Sequence, residues 1–306
     1  MGFTTGVGSV SSDRLTLPFS LSNPKRVVLQ DAALNEQLRT EGYVHIPGFA
    51  LPEAIHGLRK QLLALDPEDG FEAGKGLQDF HCSWLDPKRT YRQQVYELLY
   101  GTLQPYIDQV VVDYTPYITN LFVKQPHRGQ MHDQQKWSFV DEEQYRSISV
   151  WTPLVDAHPG NGALSVIPRS HIPFARKRGF SIPWELRDLY EIFPEKYLQP
   201  LTVPVGDAII LDDALIHAAG KNNTDDIRVA TQIIMGPKEA QGIHPFKISD
   251  EEVKVFAADK DFYLDFDVTQ SPANQRPALA SYPYQEAFLS ETDYLDRMKQ
   301  AEALIL

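Results

Sequence analysis

Gly206-Asp-Ala-Ile-Ile-Leu-Asp-Asp-Ala-Leu-Ile-His217-Ala-Ala-Gly-Lys-Asn-Asn-Thr-Asp-Asp-Ile-Arg228-Val-Ala reads as a strand that delivers a histidine, a polar turn, and a second strand that opens on an arginine. The apolar run Ala-Ile-Ile-Leu marks the first strand as buried, and Asn222-Asn223-Thr-Asp-Asp226 has the composition of a turn. An imidazole is a common metal ligand, and a guanidinium forks onto a carboxylate. An arginine at the head of a buried strand needs an anionic partner, because an unpaired buried charge is costly. Asp212, Asp213, Asp226 or the carboxylate of a ligand would each serve.

Upstream, the segments 117–124, 130–139, 146–154, 163–168, 200–204 and 207–212 are short, rich in Ile, Val, Trp and Phe, and separated by turns such as Pro159-Gly-Asn-Gly162. A further strand is expected over 227–236. Before them come amphipathic helices at 33–42, ending at Gly42, at 52–65, opening on Pro52, and at 88–100, with Gly101 and Pro105 expected to break the last. Helices first, then many strands without βαβ alternation, predict a mostly β core with helices packed along one side. Residues 1–30, rich in Gly, Ser and Thr and without period, are expected to form an arm, and 31–306 a single domain. The residues after Pro237 have no clear pattern.

Composition narrows the function. Of 306 residues, 42% are hydrophobic and 23% charged, ordinary values for a globular protein. The net charge of −12 and the absence of a long basic run argue against nucleic acid as a partner. Arg176-Lys177-Arg178 is too short for a phosphate track and is expected at the surface. No apolar run is long enough for a bilayer, so no membrane partner is expected. Cys82 is the lone cysteine, which excludes an intrachain disulfide and multi-thiolate zinc sites, and predicts a reducing, cytoplasmic setting.

Four stretches carry the rest: Trp137-Ser-Phe-Val-Asp-Glu142, Trp151-Thr-Pro-Leu-Val-Asp156, Asn161-Gly-Ala-Leu-Ser-Val-Ile-Pro-Arg-Ser-His171, and His217 to Arg228. In these the chain resembles the phytanoyl-CoA dioxygenase family of non-haem iron, 2-oxoglutarate-dependent oxygenases, from about Leu38 to Pro237. The resemblance implies a double-stranded β-helix, a jelly-roll barrel. It implies Fe(II) and 2-oxoglutarate as cofactors, and oxidation or hydroxylation of a small organic substrate. His217 would be the distal iron ligand and Arg228 the clamp on the far carboxylate of 2-oxoglutarate. Lys124 and Trp151 stand at further cosubstrate positions. His171 matches a family signature and is expected to be structural.

The pattern breaks at the metal. Members with this tryptophan stretch carry His-Gln-Asp just before it, and here those places read Gln134-Gln135-Lys136. Glutamine is a weak neutral ligand, and an ammonium does not ligate a cation. His132 lies two residues earlier, on the same face in a regular strand. A slide by two, or a bulge, would bring it to the metal with Asp133 as carboxylate partner or Gln134 in its place. Two readings follow: an iron oxygenase on His132, Asp133 and His217, or a metal-free binding protein or pseudo-oxygenase. In the second, Lys136 replaces the metal's charge and favours an organic anion together with Arg228 and Lys124; in a metal-free enzyme, Lys136 or His132 would do acid–base work.

Overall fold

The computed structural model describes residues 26–72, 79–174 and 177–305. Helix α1 (Ala32–Glu41) starts on Asp31, whose side chain accepts from the N–H groups of Ala33 and Leu34, and stops on Gly42 at φ 82°. That left-handed conformation is the one glycine adopts without cost. Strand β1 (Tyr43–Ile46) follows, then α2 (Pro52–Leu63), whose buried face is Ile55, Leu58 and Leu62. The short β2 (His81–Cys82) leads to α3 (Arg89–Ile107), which runs through Gly101 and Pro105 rather than breaking there. An interior proline costs about 3 kcal/mol. Burial of Leu103 and Ile107, which extend the stripe of Val95 and Leu99, offsets it at about 1.5–3 kcal/mol each.

The remaining elements build the barrel and its cover. They are β3 (Tyr114–Lys124), β4 (Met131–Gln134), β5 (Ile148–Pro153), β6 (Leu164–Val166), α4 (Phe193–Lys196), β7 (Gln199–Pro200), β8 (Ala208–Asp212), β9 (His217–Ala219) and β10 (Arg228–Pro237). After these come β11 (Ile243–Lys247), β12 (Glu252–Ala257), α5 (Lys260–Asp265), β13 (Ala278–Pro283) and α6 (Glu291–Ile305). One sheet has the order β1-β8-β5-β10-β3-β2 and the opposing sheet β4-β9-β6-β7, all pairs antiparallel. This is the expected double-stranded β-helix.

Strand alternation divides the larger sheet into two faces. Val229, Ile233 and Met235 of β10 face the helices and join Leu58, Val95 and Leu99 in the main core. Arg228, Ala230, Gln232 and Ile234 point the other way, toward the smaller sheet, where Ala230 packs with Trp151, Ile209, Leu211 and Leu164. The segment after Pro237 forms a third sheet, β11-β12-β13, and α5. Their aromatic side chains, including Phe262 and Tyr263, pack beside Trp84, Trp137 and Phe139 at one end of the barrel.

Two boundaries differ from expectation. Residues 1–25 lie outside the described residues, but Arg26–Gln30 belong to the domain. Leu29 is fully buried and bridges Val111, because Asn35 accepts from the N–H groups of both Val28 and Leu29. Arg178 is also buried rather than at the surface, held by a two-pronged ion pair to Glu142 at 2.9 and 2.6 Å. No helix among the described residues is long and apolar enough to cross a membrane.

Candidate functional site

β4 and β9 decide what stands at the metal position. Met131 pairs with Ala219 and Gln134 with His217, so β4 spends three steps where β9 spends two. The irregularity that the sequence allowed is present, and it does not rescue the histidine. It leaves Gln134 across from His217 and turns His132 outward, exposed and 6.1 Å from the Tyr190 ring. The side chain of Asp133 lies outside the described residues. Gln135 and Lys136, just after the irregularity, are stitched to the segment leading into β9. Gln135 Nε2 donates to the Ala214 carbonyl at 2.6 Å, and the Lys136 N–H donates to the Asp213 carbonyl at 2.8 Å. Arg178 Nε donates to the Lys136 carbonyl at 2.7 Å, so the Arg178–Glu142 pair fixes this turn.

His217 is 1% exposed, and its Nδ1 lies 2.7 Å from the Leu215 carbonyl. A carbonyl only accepts, so Nδ1 carries the proton and Nε2 keeps its lone pair. Nε2 is buried without a partner. Burial first, then the charge of Lys136, pushes the imidazole down to about 3, so it is neutral at physiological pH. Such a bare, oriented nitrogen is what a metal ligand presents. The rest of the donor set does not fit iron. Opposite His217 are a glutamine and, two residues on, a lysine. Among the described residues no three His, Cys, Asp or Glu side chains cluster as a metal site.

Lys136 lines a cavity of about 210 Å³ with Cys82, Asn120, Phe122, Gln134, Trp137, Phe139 and Ile234 among its walls. Its ammonium is the one charged group among the residues lining that cavity. Burial lowers its pKa, opposed by the nearby carboxyl of Asp213. Asp213 itself is fully buried and accepts a hydrogen bond from the Ser149 hydroxyl through Oδ1, while Oδ2 has no partner. Burial pushes this carboxyl up to about 7, with the Ser149 hydrogen bond opposing. Cys82 beside it is inert, its thiol pushed up to about 11 by burial. Gln134, Gln135, Trp137 and Phe180 also line a larger, more open cleft of about 580 Å³.

Arg228 and Lys124 are cross-strand neighbours, 2% and 1% exposed. No carboxylate pairs with either among the described residues, so the salt bridge to Asp212, Asp213 or Asp226 does not form. Lys124 Nζ donates to the carbonyls of Ala219 at 2.9 Å, Gly220 at 2.6 Å and, more weakly, Gly162 at 3.4 Å. Arg228 Nη2 donates to the Gly162 carbonyl, and its Nε is a buried donor with no acceptor. Burial first, then the charge of Arg228, lowers the lysine to about 5. The unpaired Nε is chemically suited to a carboxylate, but neither Arg228 nor Lys124 is among the residues lining the cavity. Trp151 packs in the apolar interior and is not among the residues lining the cavity. His171 is structural: its Nε2 bonds the Arg39 carbonyl and so ties the Pro168-Arg-Ser-His171 turn to α1.

Sequence reasoning saw Asp213 only as a partner for Arg228 and missed Ser149, Gln232 and Cys82. Gln232 Oε1 is another buried, unpartnered atom on the inner face of β10. The signal for Ser149 and Gln232 was the inward register of β5 and β10, which the sequence alone does not number.

Solved structures with this architecture are distant in sequence. The non-haem α-ketoglutarate-dependent carbocyclase SnoK from nogalamycin biosynthesis is 20% identical, with a TM-score of 0.51 over 69% of this chain and 86% of its own. The epimerase SnoN in complex with Fe3+, α-ketoglutarate and nogalamycin RO is 17% identical, with a TM-score of 0.51 over 85% and 96%. HygX from Streptomyces hygroscopicus, with nickel, 2-oxoglutarate and hygromycin B bound, is 16% identical, with a TM-score of 0.50 over 68% and 88%. No curated protein matches the sequence. Residues 38–230, well over half of the chain, match the phytanoyl-CoA dioxygenase (PhyH) family. With that span and the barrel geometry together, the chain belongs to the phytanoyl-CoA dioxygenase family.

Proposed function

We propose that this protein is a metal-independent member of its family that binds a small organic anion in the barrel, with the Lys136 ammonium standing in for the charge of iron. The single observation that carries the reading is the pairing of Gln134, not a histidine, with His217, which leaves Lys136 two residues on beside the cavity. The solved neighbours bind 2-oxoglutarate, iron or nickel, and small molecules such as hygromycin B. A 2-oxo acid is therefore the first ligand to test. Arg228 Nε would take its far carboxylate. The lone cysteine suits a cytoplasmic location.

One observation favours a second reading, a hydroxylating Fe(II)/2-oxoglutarate dioxygenase acting on a small molecule. It is the bare Nε2 of His217, already oriented by Leu215 as a ligand would be. His132 and Asp133 would then have to reach the metal in a strand register other than this one. Anaerobic titration with iron(II) and 2-oxoglutarate separates the two. The proposal expects no visible charge-transfer band and no tightly held iron, while 2-oxoglutarate alone raises the melting temperature. A band at one equivalent that vanishes in His217→Ala would overturn it in favour of the oxygenase.

A further inference from the structure

Lys136 is half-buried and differs from the buried cations of the barrel in that, among the described residues, nothing holds its side chain. Lys124 is spent on backbone carbonyls, Arg228 on Gly162, and Arg178 on Glu142 and the Lys136 carbonyl. The Lys136 amine makes no hydrogen bond or ion pair among the described residues, although its backbone is pinned on both sides. We propose that Lys136 captures a small aldehyde, ketone or 2-oxo acid covalently, as an imine on Nζ, inside the barrel cavity. The proposal rests on the metal-free reading above and names the chemistry of its ligand.

Three features support it. First, the cavity wall around the amine is largely apolar, with Phe122, Trp137, Phe139 and Ile234. Beside an apolar wall the ammonium that draws in the anion gives up its proton more readily, which exposes the lone pair as a nucleophile. Second, the cavity of about 210 Å³ is smaller than the sites of drug-sized ligands, roughly 300–1,000 Å³, so it suits a compound of few heavy atoms. Third, proton-handling groups sit beside the amine. The Asp213 carboxyl is electrostatically coupled to Lys136 and has a free Oδ2, and His217 has a free Nε2 lone pair.

The step balances without a further reagent. The Nζ lone pair attacks the carbonyl carbon and a C–N bond forms. The carbonyl π electrons pass to oxygen, which takes a proton from Asp213 while the nitrogen loses one. Asp213, re-protonated by the first N–H proton, protonates the hydroxyl as the C–O bond of the carbinolamine breaks. Water leaves, and the second N–H proton returns to the Asp213 carboxylate to give the imine. Amine plus carbonyl becomes imine plus water, with nothing oxidised or reduced.

The test treats the full-length, metal-free protein with glyoxylate, pyruvate or 2-oxoglutarate in the presence of cyanoborohydride, followed by peptide mass mapping. At least one of the three should leave a reduced adduct on Lys136 at ten times or more the occupancy of any other lysine. Lys136→Met and Lys136→Arg should abolish it. If either variant fails to fold, the wild-type map decides, because selectivity for Lys136 must vanish when the chain is labelled in urea. Labelling spread evenly over surface lysines would overturn the proposal. A thermal shift with these acids but no adduct on Lys136 would also overturn it while leaving non-covalent binding intact. An iron charge-transfer band would overturn the metal-free reading and this inference with it.

Discussion

Lys136 and Asp213 are two ionisable groups placed where burial opposes both charges. Burial lowers the amine and raises the carboxyl to about 7. A site of this kind holds function at the expense of stability. At pH 6, where the Asp213 carboxyl is largely protonated, Lys136→Met removes a half-buried amine without stranding a carboxylate. We expect it to stabilise the fold by about 1–3 kcal/mol in urea unfolding, the range seen when buried ions give way to apolar groups. An unchanged or lower stability would mean that the amine is solvated. Asp213→Asn tests the partner through pH. The native carboxyl keeps its proton to about 7 while the unfolded one loses it near 3.8, so its contribution falls as pH rises between those values and is flat above. The asparagine variant should therefore gain on the wild type across that window, by up to about 4 kcal/mol at pH 8. A stability difference that does not change between pH 5 and pH 8 would contradict the raised carboxyl.

At the scale of elements, the corner where β3, β9 and β10 meet is held by backbone approach as much as by side chains. Gly162 sits at φ +75°, and a Cβ there would lie 2.1 Å from the Gly220 carbonyl oxygen, the same oxygen that Lys124 binds. Gly162→Ala should cost about 2–4 kcal/mol, combining a left-handed backbone with a clash that only main-chain movement relieves. Gly57→Ala is the control. Gly57 lies on the exposed side of α2 with nothing within 4 Å of a new Cβ, so alanine should add about 0.5–1 kcal/mol. Both are read from denaturant midpoints, and equal effects would mean that the approach of the two loops is soft. The same elements show what the sequence could and could not say. α1, α2 and most strands were legible, because their caps and apolar periods are local signals. α3 was read short because Pro105 is a local warning, whereas Leu103 and Ile107 are buried by distant partners. Arg178 was misread for the same reason: its partner Glu142 is 36 residues away. The β4 irregularity was only one of several registers the sequence permitted, and cross-strand pairing with His217 selected among them.

For the molecule as a whole, scaffold and chemistry separate cleanly. The barrel, the His217 tautomer, the Arg228–Lys124 corner and the Glu142 anchor keep the architecture of an oxygenase family, while Gln134 and Lys136 stand where metal ligands would be expected. Fold does not fix function, but it limits how far function has moved. If only Gln134 and Lys136 separate this barrel from an iron site, restoring both should restore metal binding. The double variant Gln134→His with Lys136→Asp places an imidazole across from His217 and a carboxylate two residues on. That carboxylate would stand at the position whose side chain now lines the cavity, and His217 Nε2 is already free to take the third position. We expect this variant to bind one iron(II) and, with 2-oxoglutarate under anaerobic conditions, to develop the visible charge-transfer band that the metal-free reading denies the wild type. Gln134→His alone should bind iron at least tenfold more weakly, because Lys136 would still press a positive charge on the site. A double variant that folds, as judged by its circular dichroism, but holds no iron would mean that the loss of the metal reaches beyond these two residues. The next place to look would then be the aromatic cover of β11, β12 and α5, which packs against Trp137 one residue beyond Lys136.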